Sequence, residues 1–260
     1  MYIIVLFYMV FLFLINIRLD TFSIVCMTCQ PVEFDKWLKH YFDIGVSKIY
    51  LRVEDTPELK NIIENDPRIH AEFHPKANTL DANKQTNRQT QFVDKIINIC
   101  DTDWIIHIDD DELISPNFIG LRNILSFVPK RYDCVFMKTK EAVYRKGTTD
   151  KCFETAIEFI DCHKEQCKSY MGGKSCGRVT KLLKSNGPHY FNGEVLNINE
   201  HLLFVKHYDS CTFNRWKDKF SRLSGEGIKD GFKFYHDSIK IIKDGNNNDM
   251  LNFYINNKYK

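Results

Sequence analysis

Between Phe22 and Ile114 the sequence switches repeatedly between strand-length apolar runs and stretches with a helical repeat, and few architectures accommodate that alternation. The run "FSIVCMTC", Phe22 to Cys29, is apolar, of strand length, and closed by Gln30-Pro31. Phe34, Trp37, Leu38, Tyr41 and Phe42 then recur at i, i+3, i+4, i+7 and i+8, which predicts an amphipathic helix ending near Gly45. A second strand is predicted over "KIYLRV", Lys48 to Val53. Thr56-Pro57 follows as N-cap and first residue of a helix carrying Leu59, Ile62 and Ile63. Ile69, Ala71 and Phe73 alternate as a third strand, Phe92, Val93, Ile96, Ile97 and Cys100 mark a longer helix, and Trp104 to Ile108 reads as a fourth strand. The class predicted is α/β, a Rossmann-like, mostly parallel central sheet flanked by helices. In such sheets ligands sit off the carboxyl ends of the strands, where the strand order reverses.

At one such carboxyl end stand four consecutive acids, Asp109, Asp110, Asp111 and Glu112. Ser115-Pro116 reads as the cap of a helix holding Ile119, Leu121, Ile124 and Leu125, so the acids are expected in a tight strand-to-helix loop. If the strand alternation persists, Asp109 and Asp111 share one target while Asp110 faces elsewhere. Two carboxylates a few ångströms apart repel by roughly 1–4 kcal/mol at effective dielectrics of 80 to 20, and a divalent cation reverses that sign. Oxygen ligands select hard Mg2+ or Mn2+, ions that also hold substrate phosphates. The alternative is a solvated acidic loop at a helix N-terminus.

The balance of 36 basic against 34 acidic residues gives +2, which argues against a nucleic-acid partner. Residues 1–17 hold no ionised side chain, and residues 1–19 are expected as a membrane anchor, or a signal segment, making the protein a single-pass membrane protein. One domain is expected over 20–235, with 236–260, including Asn246-Asn247-Asn248, as a C-terminal tail. Nine cysteines leave the compartment open: Cys152, Cys162, Cys167 and Cys176 cluster as disulfides would, whereas no Asn stands in N-x-[ST].

Four segments resemble, in order, the GT-A glycosyltransferases related to family 2 and family 92. "HIDDDELI" resembles their "iDaDEFl" signature, "PVEFDKWLKHYFDIGVSKIYLRVEDTPE" is similar to their opening segment, and "GGKSCGRVTKLLKSNGPHYF" and "VKHYDSCTFNRWKDKF" are similar to two later ones, together covering roughly residues 22–222. Val32 replaces the family's Asn before Glu33, and Leu113 its Phe after the acids. The resemblance implies a metal-dependent glycosyltransferase, hexosyltransferase in type, that moves a sugar from a nucleotide diphosphate sugar to a glycan, protein or lipid hydroxyl. The donor implied is a UDP-sugar, or secondarily a GDP-sugar, with Mn2+ or Mg2+ as cofactor. Asp109 and Asp111 would hold the metal, and His207 would be a third ligand or a diphosphate contact. Asp55 or Glu54 would lie near the nucleoside, with Glu33, Lys174 and His189 as further substrate-binding positions. An inverting enzyme would need a carboxylate base, for which Glu154, Glu194 and Asp209 qualify, Glu194 and Asp209 foremost.

Gly173-Lys174-Ser175 is not a P-loop, because Lys168 stands where the first motif glycine belongs and no apolar strand precedes it. Phe213, Trp216, Phe220 and Leu223 repeat at helical spacing, as a core stripe does. Two further readings compete: a catalytically silent membrane-tethered binding module with the same fold, and a non-haem Fe(II) oxygenase using His107, Asp109 and His189 or His207. The strand–helix alternation opposes the second.

Overall fold

The computed structural model describes residues 18–75, 81–144, 151–161, 172–228 and 232–258. The expected anchor segment, residues 1–17, lies outside them, as do Cys162 and Cys167. Among the described residues no helix is long and apolar enough to cross a membrane. The expectation of a single-pass membrane protein is corrected accordingly.

Strands β1 (Phe22–Thr28), β2 (Lys48–Glu54), β3 (Ile69–His74) and β4 (Trp104–His107) are all parallel and stand in the order β3-β2-β1-β4. Helix α1 (Phe34–Asp43) packs Trp37, Leu38 and Tyr41 against Ile24, Cys26 and Ile106 on one face of this sheet. Helix α2 (Ala82–Ile97) packs Phe92, Val93 and Ile96 against Val25 and Ile105 on the other. The alternating side-chain directions of β1 and β4 therefore feed two separate hydrophobic layers.

Beyond β4 the sheet is mixed rather than mostly parallel. Strands β5 (Glu112–Pro116), β6 (Cys134–Tyr144), β7 (Ala156–Asp161), β8 (Gly173–Arg178), β11 (Val195–Asn197) and β12 (Leu203–His207) continue the order as β8-β6-β12-β5, with β7 and β11 also on β6. β8 is antiparallel to both β4 and β6. A two-residue pair, β9 (Ser185–Asn186) and β10 (Tyr190–Phe191), flanks β8. Gly173 belongs to this strand packing and to no phosphate loop: a Cβ there would meet the Met137 carbonyl at 2.1 Å and the Phe136 ring at 2.5 Å.

Three further departures matter for the site. After Thr56-Pro57 the chain makes a 3-10 turn, Pro57–Leu59, and a short helix, Lys60–Ile63. The Thr56 hydroxyl caps neither; it donates to Glu54 O (2.9 Å) and accepts from Gln30 N (2.7 Å), tying the ends of β1 and β2 together. The acids lead into β5 rather than into a helix, and helix α3 (Leu121–Ser126) starts only after Gly120. Helices α4 (Phe213–Arg222), α5 (Lys233–Asp244) and α6 (Asn247–Lys258) form a packed group around Trp216, Phe220, Phe234, Ile239, Met250 and Tyr254. Most of the expected tail is thus helical and docked. Asn246 accepts from Asn248 N and Asp249 N at the head of α6.

Candidate active site

A cleft of about 1000 Å³ opens off the carboxyl ends of β1, β2 and β4. Strand order reverses between β1 and β4, so this is the crevice that the topology predicts. Its walls include Thr28 to Gln30, Glu54 and Asp55, the polar first half of α2, the acid turn, His189, His207 and the inner face of α4. Gln30, Asp55 and Ser210 line it with φ of 51°, 53° and 53°, left-handed conformations that non-glycine residues adopt at a cost and that concentrate at functional sites.

The four acids form a turn. Glu112 N donates to Asp109 O at 3.1 Å, and Trp37 Nε1 and Tyr41 Oη from α1 donate to Asp109 O (3.2 Å) and Glu112 O (2.9 Å). Those two rings are wholly buried, so the hydrophobic docking of α1 also fixes the turn from beneath. Because the chain turns here, strand alternation fails and Asp109 and Asp111 diverge.

Asp109 accepts from the buried Lys174 Nζ (2.7 Å), which also lies 3.2 Å from Glu112 Oε2. Burial alone raises the Asp109 carboxyl, but Lys174 and the two nearby histidines outweigh it and hold it well below the usual range. Burial pushes Glu112 up to about 7 against the opposing pull of Lys174. Asp110 accepts from Thr28 Oγ1 (2.6 Å) and Arg215 Nη2 (3.1 Å). Asp111 turns to His207, with Oδ1 3.7 Å from Nε2.

Asp111, His207 and Asp209 gather with ligand atoms within 4.8 Å of one another, the one such group among the described residues. Asp209 is 1 % exposed. Its Oδ1 accepts from Lys219 Nζ (2.5 Å) and Ser210 Oγ (2.9 Å), while Oδ2 is buried without a hydrogen bond. Burial raises Asp209, yet Lys219, Lys258 and His207 together hold it well below its ordinary value. Burial lowers His207, and Asp111, Asp209, Glu112 and Glu141 more than reverse this. Two carboxylates, an imidazole and an unused buried lone pair fit a hard divalent cation.

The expected residues separate into three sets. Asp55, Asp109, Asp111, His189 and His207 line the cleft, and Asp209 stands behind His207. Burial and the Lys174 charge lower His189 to about 2, so it is neutral there. Lys174 lies beneath the floor with no exposure and reaches the site through Asp109. Glu33 and Glu194 are elsewhere. Glu33 pairs with Lys36 and accepts from Phe153 N (3.0 Å), bracing the start of α1. Glu194 is exposed beside the first residues of β6, which lie level with the start of β4 at the opposite end of the sheet from the cleft. Glu154 is exposed and pairs with Lys36 and Lys151.

Several wall residues escaped the sequence reading. Arg88 forks onto buried Glu54, with Nε–Oε1 3.0 Å and Nη2–Oε2 3.2 Å. Arg215, Lys219 and Arg222 line the cleft from one face of α4, a spacing that could have been read beside the apolar stripe. A disulfide joins Cys152 to Cys211, two residues past Asp209, with Cα atoms 5.3 Å apart.

No family model matches the chain. Two Arabidopsis thaliana proteins named glycosyltransferase-like are similar to it. One is 23% identical over 248 residues, covering 74% of this chain and 53% of the relative. The other is 24% identical over 246 residues, covering 74% and 47%. The chain thus spans about half the length of these curated relatives. A solved mannosyltransferase from Pyrobaculum calidifontis, in complex with GDP-Man and Mn2+, overlaps 51% of this chain and 42% of its own at 10% identity and a TM-score of 0.32, a level that carries no inference.

Proposed function

We propose that the chain is a GT-A glycosyltransferase domain that transfers a hexosyl group from a nucleotide diphosphate sugar, a UDP-sugar foremost, to a hydroxyl acceptor, using Mn2+ or Mg2+. The observation that carries this reading is the Asp111–His207–Asp209 group beside a large cleft at the reversal of strand order. The names of the two plant relatives support the same class.

In this reading Asp111, His207 and Asp209 hold the cation, whose charge offsets that developing on the departing diphosphate. Arg215 and Arg222, facing the cleft from α4, would meet phosphate oxygens with fixed donors. Asp55, at the carboxyl end of β2, and the polar first half of α2 offer hydrogen bonds to a nucleoside. Lys174 holds Asp109 ionised and oriented instead of touching substrate itself. Asp209 serves better as a ligand than as a base, because its Oδ1 is engaged and neighbouring cations hold it ionised.

The test is nucleotide-sugar hydrolysis, screened with and without Mn2+ on wild type and Asp111→Ala. Metal-dependent turnover with one sugar nucleotide is expected, falling at least 100-fold in the variant, the scale of losing one stabiliser of transition-state charge. Equal turnover in both proteins would remove Asp111 from its role. Nucleotide and Mn2+ binding with no turnover would favour the silent module.

A further inference from the structure

We propose that Lys258 is a resident counter-charge for the Asp111–His207–Asp209 group, keeping the protein's own affinity for a divalent cation low until a nucleotide diphosphate adds its oxygens. The inference rests on reading that group as the cation site.

Lys258 ends α6 and is 4 % exposed, an unusual burial for a lysine. Its Nζ donates to Glu141 Oε1 at 2.9 Å and lies 3.8 Å from Asp209 Oδ2. That oxygen is the one on Asp209 without a hydrogen bond, since Lys219 and Ser210 both use Oδ1. Glu141 stands beside His207 in the β6–β12 register. The ammonium therefore stands between one carboxylate of the group, Asp209, and the neighbouring Glu141. Tyr254, one helical turn earlier, donates from Oη to Ser210 O at 2.9 Å, so the same face of α6 is docked on the loop that carries Asp209.

Pairing with Glu141 alone would not require an approach to Asp209. A cation seated on Asp209 Oδ2 would face this ammonium across a few ångströms of low-dielectric interior, where like charges repel strongly. Lys219 neutralises the other oxygen of the same carboxylate. Each lysine diminishes the field that a free ion experiences. A nucleotide diphosphate brings negative charge of its own and restores the attraction.

The experiment is calorimetric titration of Mn2+ into the full chain, with and without UDP, for wild type, Lys258→Met, Lys258→Arg and the Lys258→Met/Glu141→Gln double variant. Without UDP, Lys258→Met is expected to bind Mn2+ at least tenfold more tightly than wild type, with the gap falling below threefold when UDP is present. Lys258→Arg keeps the charge and should keep the wild-type Kd. The double variant also removes the carboxylate that loses its lysine in the single change, and should retain the tightening. A return of its Kd to the wild-type value would overturn the inference by assigning the effect to Glu141, as would an unchanged or weaker Kd in both Met variants with native circular dichroism. If Lys258→Met does not fold, the double variant carries the test. Failure of the underlying reading looks different: neither wild type nor any variant would bind Mn2+, even with UDP. Binding that depends on Asp111 but ignores Lys258 would sink this inference alone.

Discussion

The ammonium of Lys174, which has no solvent exposure, lies 2.7 Å from Oδ2 of Asp109. The first acid of the run is thereby paired with a partner inside the protein, while Asp111 gathers with His207 and Asp209 in the group that could hold a metal ion. Burial lowers Lys174, but Asp109 and Glu112 outweigh it and hold the ammonium charged.

Breaking that contact should be costly. Lys174→Met leaves the half-buried Asp109 and the buried Glu112 side by side without their cation, and removal of one partner of a buried pair typically costs about 3–5 kcal/mol. Urea unfolding at pH 7 measures the loss. Lys174→Arg is not expected to restore stability, because a planar guanidinium is larger than the ammonium it would replace at a fully buried position.

His107 predicts a pH dependence. Burial, then the Lys174 charge, lowers its pKa from 6.5 to about 4, and its Nδ1 lies 2.6 Å from Pro188 O. The folded state thus binds the proton less readily than the unfolded chain. This stabilisation is fully present above pH 6.5 and is lost as pH falls toward 4. By pH 4.5 the loss should reach about 2–3 kcal/mol, read from urea midpoints at several pH values. His107→Gln should flatten that part of the profile.

The Cys152–Cys211 disulfide closes a separation of 59 residues. The chain-entropy model assigns a bridge of that span about 4 kcal/mol, or roughly 10 °C in Tm for a protein of this size. A Cys152→Ser/Cys211→Ser double variant should show that fall in a thermal melt. Its Mn2+ affinity should weaken as well, since Cys211 anchors the loop bearing Asp209.

Glu194 supplies the contrasting case. Its side chain is exposed at the far end of the sheet, so Glu194→Ala should leave stability within about 0.5 kcal/mol and nucleotide-sugar turnover within about twofold. A large loss of turnover in a folded variant would reopen the question of the catalytic base.

Periodicity made β1 to β4 and α1 readable, because each buries a continuous apolar face. It missed the first half of α2, where Asn83, Gln85, Thr86, Arg88 and Gln89 face the cleft and carry no apolar signal. Strand β8 was equally hidden, since "GKSCGR" holds two glycines that its neighbours require and a lysine buried by ionic partners. Helix α6 turns Met250, Tyr254 and Lys258 inward, and a lysine in that series looks like surface. At the candidate site, the family resemblance pointed to Asp109, Asp111 and His207 as metal-holding positions and to Asp209 as a base, whereas the structure gathers Asp111, His207 and Asp209 and pairs Asp109 with Lys174. The pairings Lys174–Asp109 and Lys258–Glu141 cross 65 and 117 residues, which no local pattern reports.

The acid turn has one more consequence. Lys174 answers Asp109, Arg215 and Thr28 answer Asp110, and His207 stands by Asp111. With its negative charges met separately, the loop is preorganised before any ligand arrives, and chelation should leave its shape intact. A guest entering the crevice then spends little of its binding energy on freezing the wall, and more remains for selectivity.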